Sequence, residues 1–163
     1  MPHFGTSLEW FKSDYSFSDD EAFFAYIHPE NEIDCLEPDP GLRAFLDGLE
    51  LPKAVFTNSP REHAERVLKK LGIAGSFEAV YDIRFNHLYG KPHREAIERV
   101  CAACGVPVSC AALIDDAEKH VRGMSEAGGL GILRDETGRH PDTVYPHIKT
   151  LYELPALLAE RGL

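Results

Sequence analysis

The hydrophobic pattern changes character near residue 36. Before it, apolar and aromatic positions recur every three or four residues, Leu8, Phe11 and Tyr15 first and then Phe23, Phe24, Tyr26 and Ile27, which predicts two short helices. Ser18 and Glu21 have the spacing of a capping box for the second. Leu36-Glu-Pro38-Asp-Pro40 then breaks the pattern, because proline ends one element and can open the next at its first turn.

Beyond the break, short apolar runs alternate with helical patterns. Leu42, Phe45, Leu46 and Leu49 predict a helix over 41–49, and Lys53-Ala-Val-Phe-Thr57-Asn58-Ser59 a buried strand with a polar end. Ala64, Val67, Leu68 and Leu71 predict a helix over 61–71, stopped by Gly72. A strand follows within 77–83. Pro92 is expected to start a helix running to about Cys104, closed by Gly105. Ala111-Ala-Leu-Ile-Asp115-Asp116 reads as a buried strand running into two carboxylates, followed by a helix over 117–127, a strand over 130–133 and a last helix within 148–158. Strands alternating with helices predict an α/β fold, a parallel sheet with crossover helices on both faces, over 37–163, preceded by a helical segment over 1–36.

Composition narrows the partners. Seventeen basic residues against 27 acidic ones give a formal charge of −10, which disfavours a nucleic-acid backbone or an anionic membrane surface. No apolar run approaches a membrane span and the first residues do not read as a secretory signal, so the expected location is the cytoplasm. Cys35, Cys101, Cys104 and Cys110 lie in or beside regular elements, which favours reduced thiols. The single C-x-x-C, Cys101 and Cys104, has no second Cys or His pair at zinc-finger distance.

The candidate chemistry lies at strand ends. Acidic groups at the carboxyl end of a parallel strand sit where open α/β sheets place their ligands, and two neighbouring carboxylates repel unless a hard cation, here Mg²⁺, lies between them. Equally, Asp116 could simply cap the following helix. Thr57 and Asn58, and the lone lysine of Tyr89-Gly90-Lys91-Pro92-His93, follow the other strands. A hydroxyl, backbone N–H groups, an ammonium and a carboxylate-bound cation together suit a phosphate group. Taken singly, Thr57 reads as a strand end, Asn58 as a turn former and Lys91 as a solvated lysine.

The order Phe56-Thr57-Asn58, Lys91-Pro92, Leu113-Ile-Asp115-Asp116 resembles the second, third and fourth motifs of the haloacid dehalogenase-like hydrolase superfamily. His63-Ala-Glu-Arg-Val-Leu further resembles its pyrimidine 5′-nucleotidase-like branch. The resemblance implies a Rossmann-like core with a helical cap, of which residues 1–36 would be a part. It also implies Mg²⁺-dependent hydrolysis of a phosphomonoester, with a nucleotide as one candidate, through an aspartyl-phosphate. It would have Thr57 and Asn58 bind the phosphoryl group, Lys91 stabilise the nucleophile and the phosphate charge, Asp116 ligate the metal directly and Asp115 directly or through water. His93 stands where relatives often carry Asp, and no role attaches to it.

The family's first motif, an apolar strand ending in a nucleophilic Asp-x-Asp, has no counterpart here. In the family that strand lies between those ending at Thr57 and at Asp115. Unpaired buried backbone groups cost about 1–3 kcal/mol each, and a whole strand edge would exceed a typical domain stability of about 5–15 kcal/mol. The expectation is therefore either a chain that begins inside the cap, or a short protein that closes its sheet by rearrangement or by strand exchange with a partner. As it stands the chain should be inactive as a hydrolase, or serve as a non-catalytic phosphate-binding or interaction module. A metal-independent dehalogenation is a third possibility, against which the acid pair argues. Phe4, Trp10, Phe11 and Tyr15 read as core before they read as a base-stacking pocket.

Overall fold

The computed structural model describes residues 4–16 and 18–162. By packing the chain divides into two units, Met1–Gly90 and Lys91–Leu163, so the boundary expected after residue 36 lies inside the first.

The first unit opens with helix α1, Ser7–Tyr15, capped by the Thr6 hydroxyl, which accepts from the Glu9 N–H. Helix α2, Asp20–Ile27, is capped by Asp19, whose carboxylate accepts from the Ala22 N–H at 2.9 Å. The cap thus falls one residue later than the Ser18 and Glu21 box. Glu21 is instead drawn to Arg84, whose guanidinium donates to it at 2.7 and 3.0 Å.

After a 3-10 segment, Glu30–Cys35, come helix α3, Leu42–Gly48, strand β1, Ala54–Phe56, helix α4, Arg61–Lys70, and strand β2, Ala79–Tyr81. β1 and β2 pair in parallel, Ala54 opposite Ala79 and Phe56 opposite Tyr81. Two apolar clusters hold this unit. Leu46, Leu68 and Ile73 are buried with Phe45, Val55, Phe77 and Val80 against them. Leu8, Phe23, Phe24 and Ile83 form the other, with Phe11 and Leu88 against it, so the aromatic helices dock on the segment just after β2. Phe11 therefore packs against a core cluster, whereas Tyr15 is exposed.

The second unit contains α5, Arg94–Ala103, β3, Ala112–Asp115, α6, Glu118–Glu126, β4, Leu130–Arg134, β5, His147–Ile148, and α7, Leu154–Glu160. Its sheet runs β3-β4-β5, parallel throughout, with Asp115 opposite Leu133 and Arg134 opposite Ile148. Helix α6 lies against β3 and β4. Ile97, Val121, Ile132, Leu133 and Ile148 are fully buried.

The α/β class with parallel pairing is as expected, and two details differ. Helix α5 starts at Arg94 with His93 as its N-cap residue, so Pro92 precedes the helix instead of opening it. β5 lies in a stretch with no strand signal, because two residues are too few to show a period. Among the described residues β1 pairs with β2 alone and β3 with β4 alone. All four cysteines are free thiols, with Cys101 buried. No described helix is long and apolar enough to cross a membrane.

Candidate active site

In the first unit, β1 hands its ladder on by one bond beyond its end, the Thr57 N–H donating to the Tyr81 carbonyl at 3.0 Å. The Thr57 hydroxyl oxygen then accepts from the Ser59 N–H at 3.0 Å, which turns the chain sharply into α4. Thr57, Asn58 and Ser59 are all half-buried. Asn58 sits close against Gly90, where a Cβ would overlap the Asn58 side-chain amide and the Ile83 methyl, so a larger residue there would displace those side chains. Asp82, 5% exposed, ties this turn to the end of β2: its carboxylate accepts from the Arg61 N–H at 3.1 Å and from the Phe85 N–H at 2.9 Å. It satisfies an orphan N–H at the start of α4.

The centre of the second unit's site is Asp115, the last residue of β3. Its Oδ2 accepts from Lys91 Nζ at 2.6 Å, and its Oδ1 lies 2.9 Å from both the Ala117 N–H and His120 Nδ1. The Lys91 and Asp115 side chains are only 9% and 6% exposed. Burial opposes the Asp115 charge, but the hydrogen bond from His120 and the nearby Lys91 ammonium outweigh it and hold the carboxyl well below the usual range. Lys91 is brought there by close packing. A Cβ on Gly123 of α6 would meet the Pro92 carbonyl oxygen at 2.5 Å, so only glycine lets the helix press against the Lys91-Pro92 backbone.

Asp116 is exposed and makes no hydrogen bond or ion pair among the described residues. It does not cap α6 either. The N-cap position belongs to Ala117, and the N–H of Ala117 goes to Asp115. Asp116 instead borders a cavity of about 200 Å³ lined also by Arg134, Asp135, Glu136, Thr137, Arg139 and His140. The loop there winds around Asp135, 7% exposed, whose carboxylate accepts from the Arg139 and His140 N–H groups at 2.8 and 3.0 Å. Burial works against that charge too, and those N–H groups hold the carboxyl below its ordinary range.

This donor set fits an oxygen-liganded cation at one point and only loosely at the other. Asp116 offers a whole carboxylate at the mouth of a cavity. Asp115 has both oxygens already engaged, leaving one lone-pair direction on Oδ2 or a contact through water. Mg²⁺, which binds one or two carboxylates and keeps several waters, is compatible with that arrangement.

The sequence therefore pointed to Lys91, Asp115, Asp116, Thr57 and Asn58, and the second unit brings Lys91 and Asp115 into contact while Asp116, next in sequence to Asp115, borders the cavity. It missed His120, Asp135 and Asp82. His120, in the first turn after the acid pair, carried the only available signal, since a residue there can fold back over the strand end. Its Nε2 is buried without a hydrogen-bond partner among the described residues.

Comparison with known proteins places this geometry in a family. The profile of the haloacid dehalogenase-like hydrolases matches residues 5–128, and the chain belongs to that family. Among solved structures it resembles the L-2-haloacid dehalogenase of Xanthobacter autotrophicus with chloropropionic acid covalently bound. The identity is 19% over 96% of this chain and 73% of that one, with a TM-score of 0.67. A haloacid dehalogenase-like protein of unknown function from Agrobacterium tumefaciens gives 19% identity over 96% and 77%, with a TM-score of 0.68. The putative hydrolase YfnB of Bacillus subtilis, solved with magnesium bound, gives 15% over 93% and 77%, also at 0.68. Identities this low establish the shared fold and leave substrate open.

Proposed function

We propose that this chain carries the lysine and acid-pair portion of a Mg²⁺-dependent phosphomonoester site, and that in its present 163-residue form it binds a phosphate group without hydrolysing it. The observation that carries the reading is the buried Lys91–Asp115 pair at 2.6 Å beside an unpartnered Asp116. An ammonium held by a carboxylate brings a positive charge towards a phosphate oxygen, and a neighbouring carboxylate supplies a metal ligand. Bound Mg²⁺ would supply charge neutralisation at the phosphate. Thr57 and Asn58 are assigned to the same phosphate on motif order alone.

Turnover needs a nucleophile, and no Asp-x-Asp occurs anywhere in the sequence. Lysine and a cation stabilise attack but cannot make it. A non-catalytic phosphate-binding module on the same scaffold would share this binding property, and nucleoside monophosphates are the first ligands to compare with simple phosphate.

The similarity to dehalogenases supports a second reading, metal-independent dehalogenation, from which Mg²⁺ separates the first. Equilibrium dialysis of inorganic phosphate should show saturable, Mg²⁺-dependent binding, lost in Asp116→Asn and in Lys91→Met. Hydrolysis of p-nitrophenyl phosphate should stay at the level of Lys91→Met. Phosphate binding indifferent to Mg²⁺, or halide release from a 2-haloacid, would overturn the proposal.

A further inference from the structure

A second polar cluster lies in the first unit, and one of its members, His63, opens the His63-Ala-Glu-Arg-Val-Leu segment. His28 is the C-cap residue of α2, Glu32 follows one turn later in the 3-10 segment, and His63 lies in the first turn of α4. The ligand atoms of these three side chains all lie within 4.8 Å of one another. His28 Nδ1 is 3.0 Å from Glu32 Oε2, and His63 Nδ1 is hydrogen-bonded to Oε1 of the same carboxylate. The two imidazole rings stack, centroids 3.9 Å apart and planes at 24°.

From this convergence we infer that His28, Glu32 and His63 form a binding site for a zinc-class divalent cation, independent of the site at Asp115 and Asp116.

Two imidazole nitrogens and one carboxylate oxygen make a donor set of borderline softness, suited to Zn²⁺ in preference to Mg²⁺. Three protein ligands leave a fourth, tetrahedral position for water, and side-chain exposures of 16, 22 and 21% leave the site open on one side. The geometry needs little adjustment. Ligands about 2.0–2.1 Å from a tetrahedral ion lie about 3.3 Å from each other, within the 4.8 Å that bounds the three donor atoms here. Each ring has only to carry its proton on Nε2 in place of Nδ1, which a neutral imidazole does by changing tautomer.

The surroundings keep the donors in usable form. Arg66 also holds the carboxylate, its Nη2 donating at 3.1 Å to Glu32 Oε1, the oxygen that His63 shares, and at 2.9 Å to the His28 carbonyl. That contact orients Glu32 and leaves Oε2 facing the His28 ring. A cation held here would tie the end of α2 to the start of α4, the helix that opens three residues after Asn58.

The test starts from full-length protein stripped of metal with a chelator. Zinc titration by equilibrium dialysis should give one saturable equivalent and raise the thermal midpoint as free zinc rises. His28→Gln and His63→Gln should each weaken that affinity by more than the about 10–100-fold that losing an outer-shell partner costs, while Mg²⁺-dependent phosphate binding is unchanged. Retained phosphate binding also shows that the variants fold, and it fails separately if the phosphate reading is wrong. Wild-type protein loaded with Co²⁺ gives a variant-free readout, and its spectrum should be that of four-coordinate cobalt without thiolate bands. Absence of a saturable zinc equivalent, thiolate bands in the cobalt spectrum, or zinc binding that survives both histidine substitutions would overturn the site.

Discussion

Asp115 concentrates the energetics of the second unit in one carboxylate. Removing Lys91 would leave a charge that is 6% exposed with, among the described residues, the Ala117 N–H and His120 to compensate it. Breaking a buried pair by deleting one partner costs about 3–5 kcal/mol, so Lys91→Met should lose about 3 kcal/mol in urea unfolding. The double variant with Asp115→Asn should lose less than the sum of the singles, since the stranded charge is then gone. The same carboxyl makes a pH prediction. Its folded pKa is lowered, so its contribution is complete above its unfolded pKa and is lost as pH falls towards the folded value. The urea midpoint of the wild type should therefore fall from about pH 5 downwards more steeply than that of Asp115→Asn. Equal slopes would show that Asp115 is not held ionised by its partners.

Among elements, α6 and α4 are placed by contacts that lie off their apolar stripes. α6 approaches Lys91-Pro92 over Gly123, where a methyl would overlap the Pro92 carbonyl. Gly123→Ala should force the helix or the lysine segment to move and destabilise the protein by about 1–3 kcal/mol, with phosphate binding weakened alongside. Thermal unfolding and the dialysis assay read the two effects. α4 begins on an N–H satisfied by Asp82. Asp82→Ala strips the acceptor from the Arg61 and Phe85 N–H groups together and should cost about 1.5–3 kcal/mol by chemical denaturation. The hydrophobic periodicity shows where both helices lie. It is silent about Gly123 and Asp82, because a close backbone approach and a loop carboxylate reaching back twenty-one residues leave no periodic trace.

For the whole molecule, thiol reactivity reports the packing. Cys35, Cys104 and Cys110 are exposed, whereas Cys101 is buried and its thiol pKa is pushed up by burial and by Cys104. A thiol reagent should modify three cysteines in native protein and reach Cys101 only on unfolding, and rapid modification of all four would contradict the packing of α5. The sequence by itself determined the α/β class, the order of most elements, and the three segments whose ends carry Thr57, Lys91 and the acid pair. Those features depend on local spacing of apolar and turn-forming residues, which the chain states directly. Tertiary structure alone decided that Asp115 is the engaged carboxylate and Asp116 the free one, that Ala117 occupies the cap position, and that His28, Glu32 and His63 meet. These outcomes depend on distances between residues far apart in the chain, or on which of two adjacent side chains turns inward, and no pattern within a single segment encodes either.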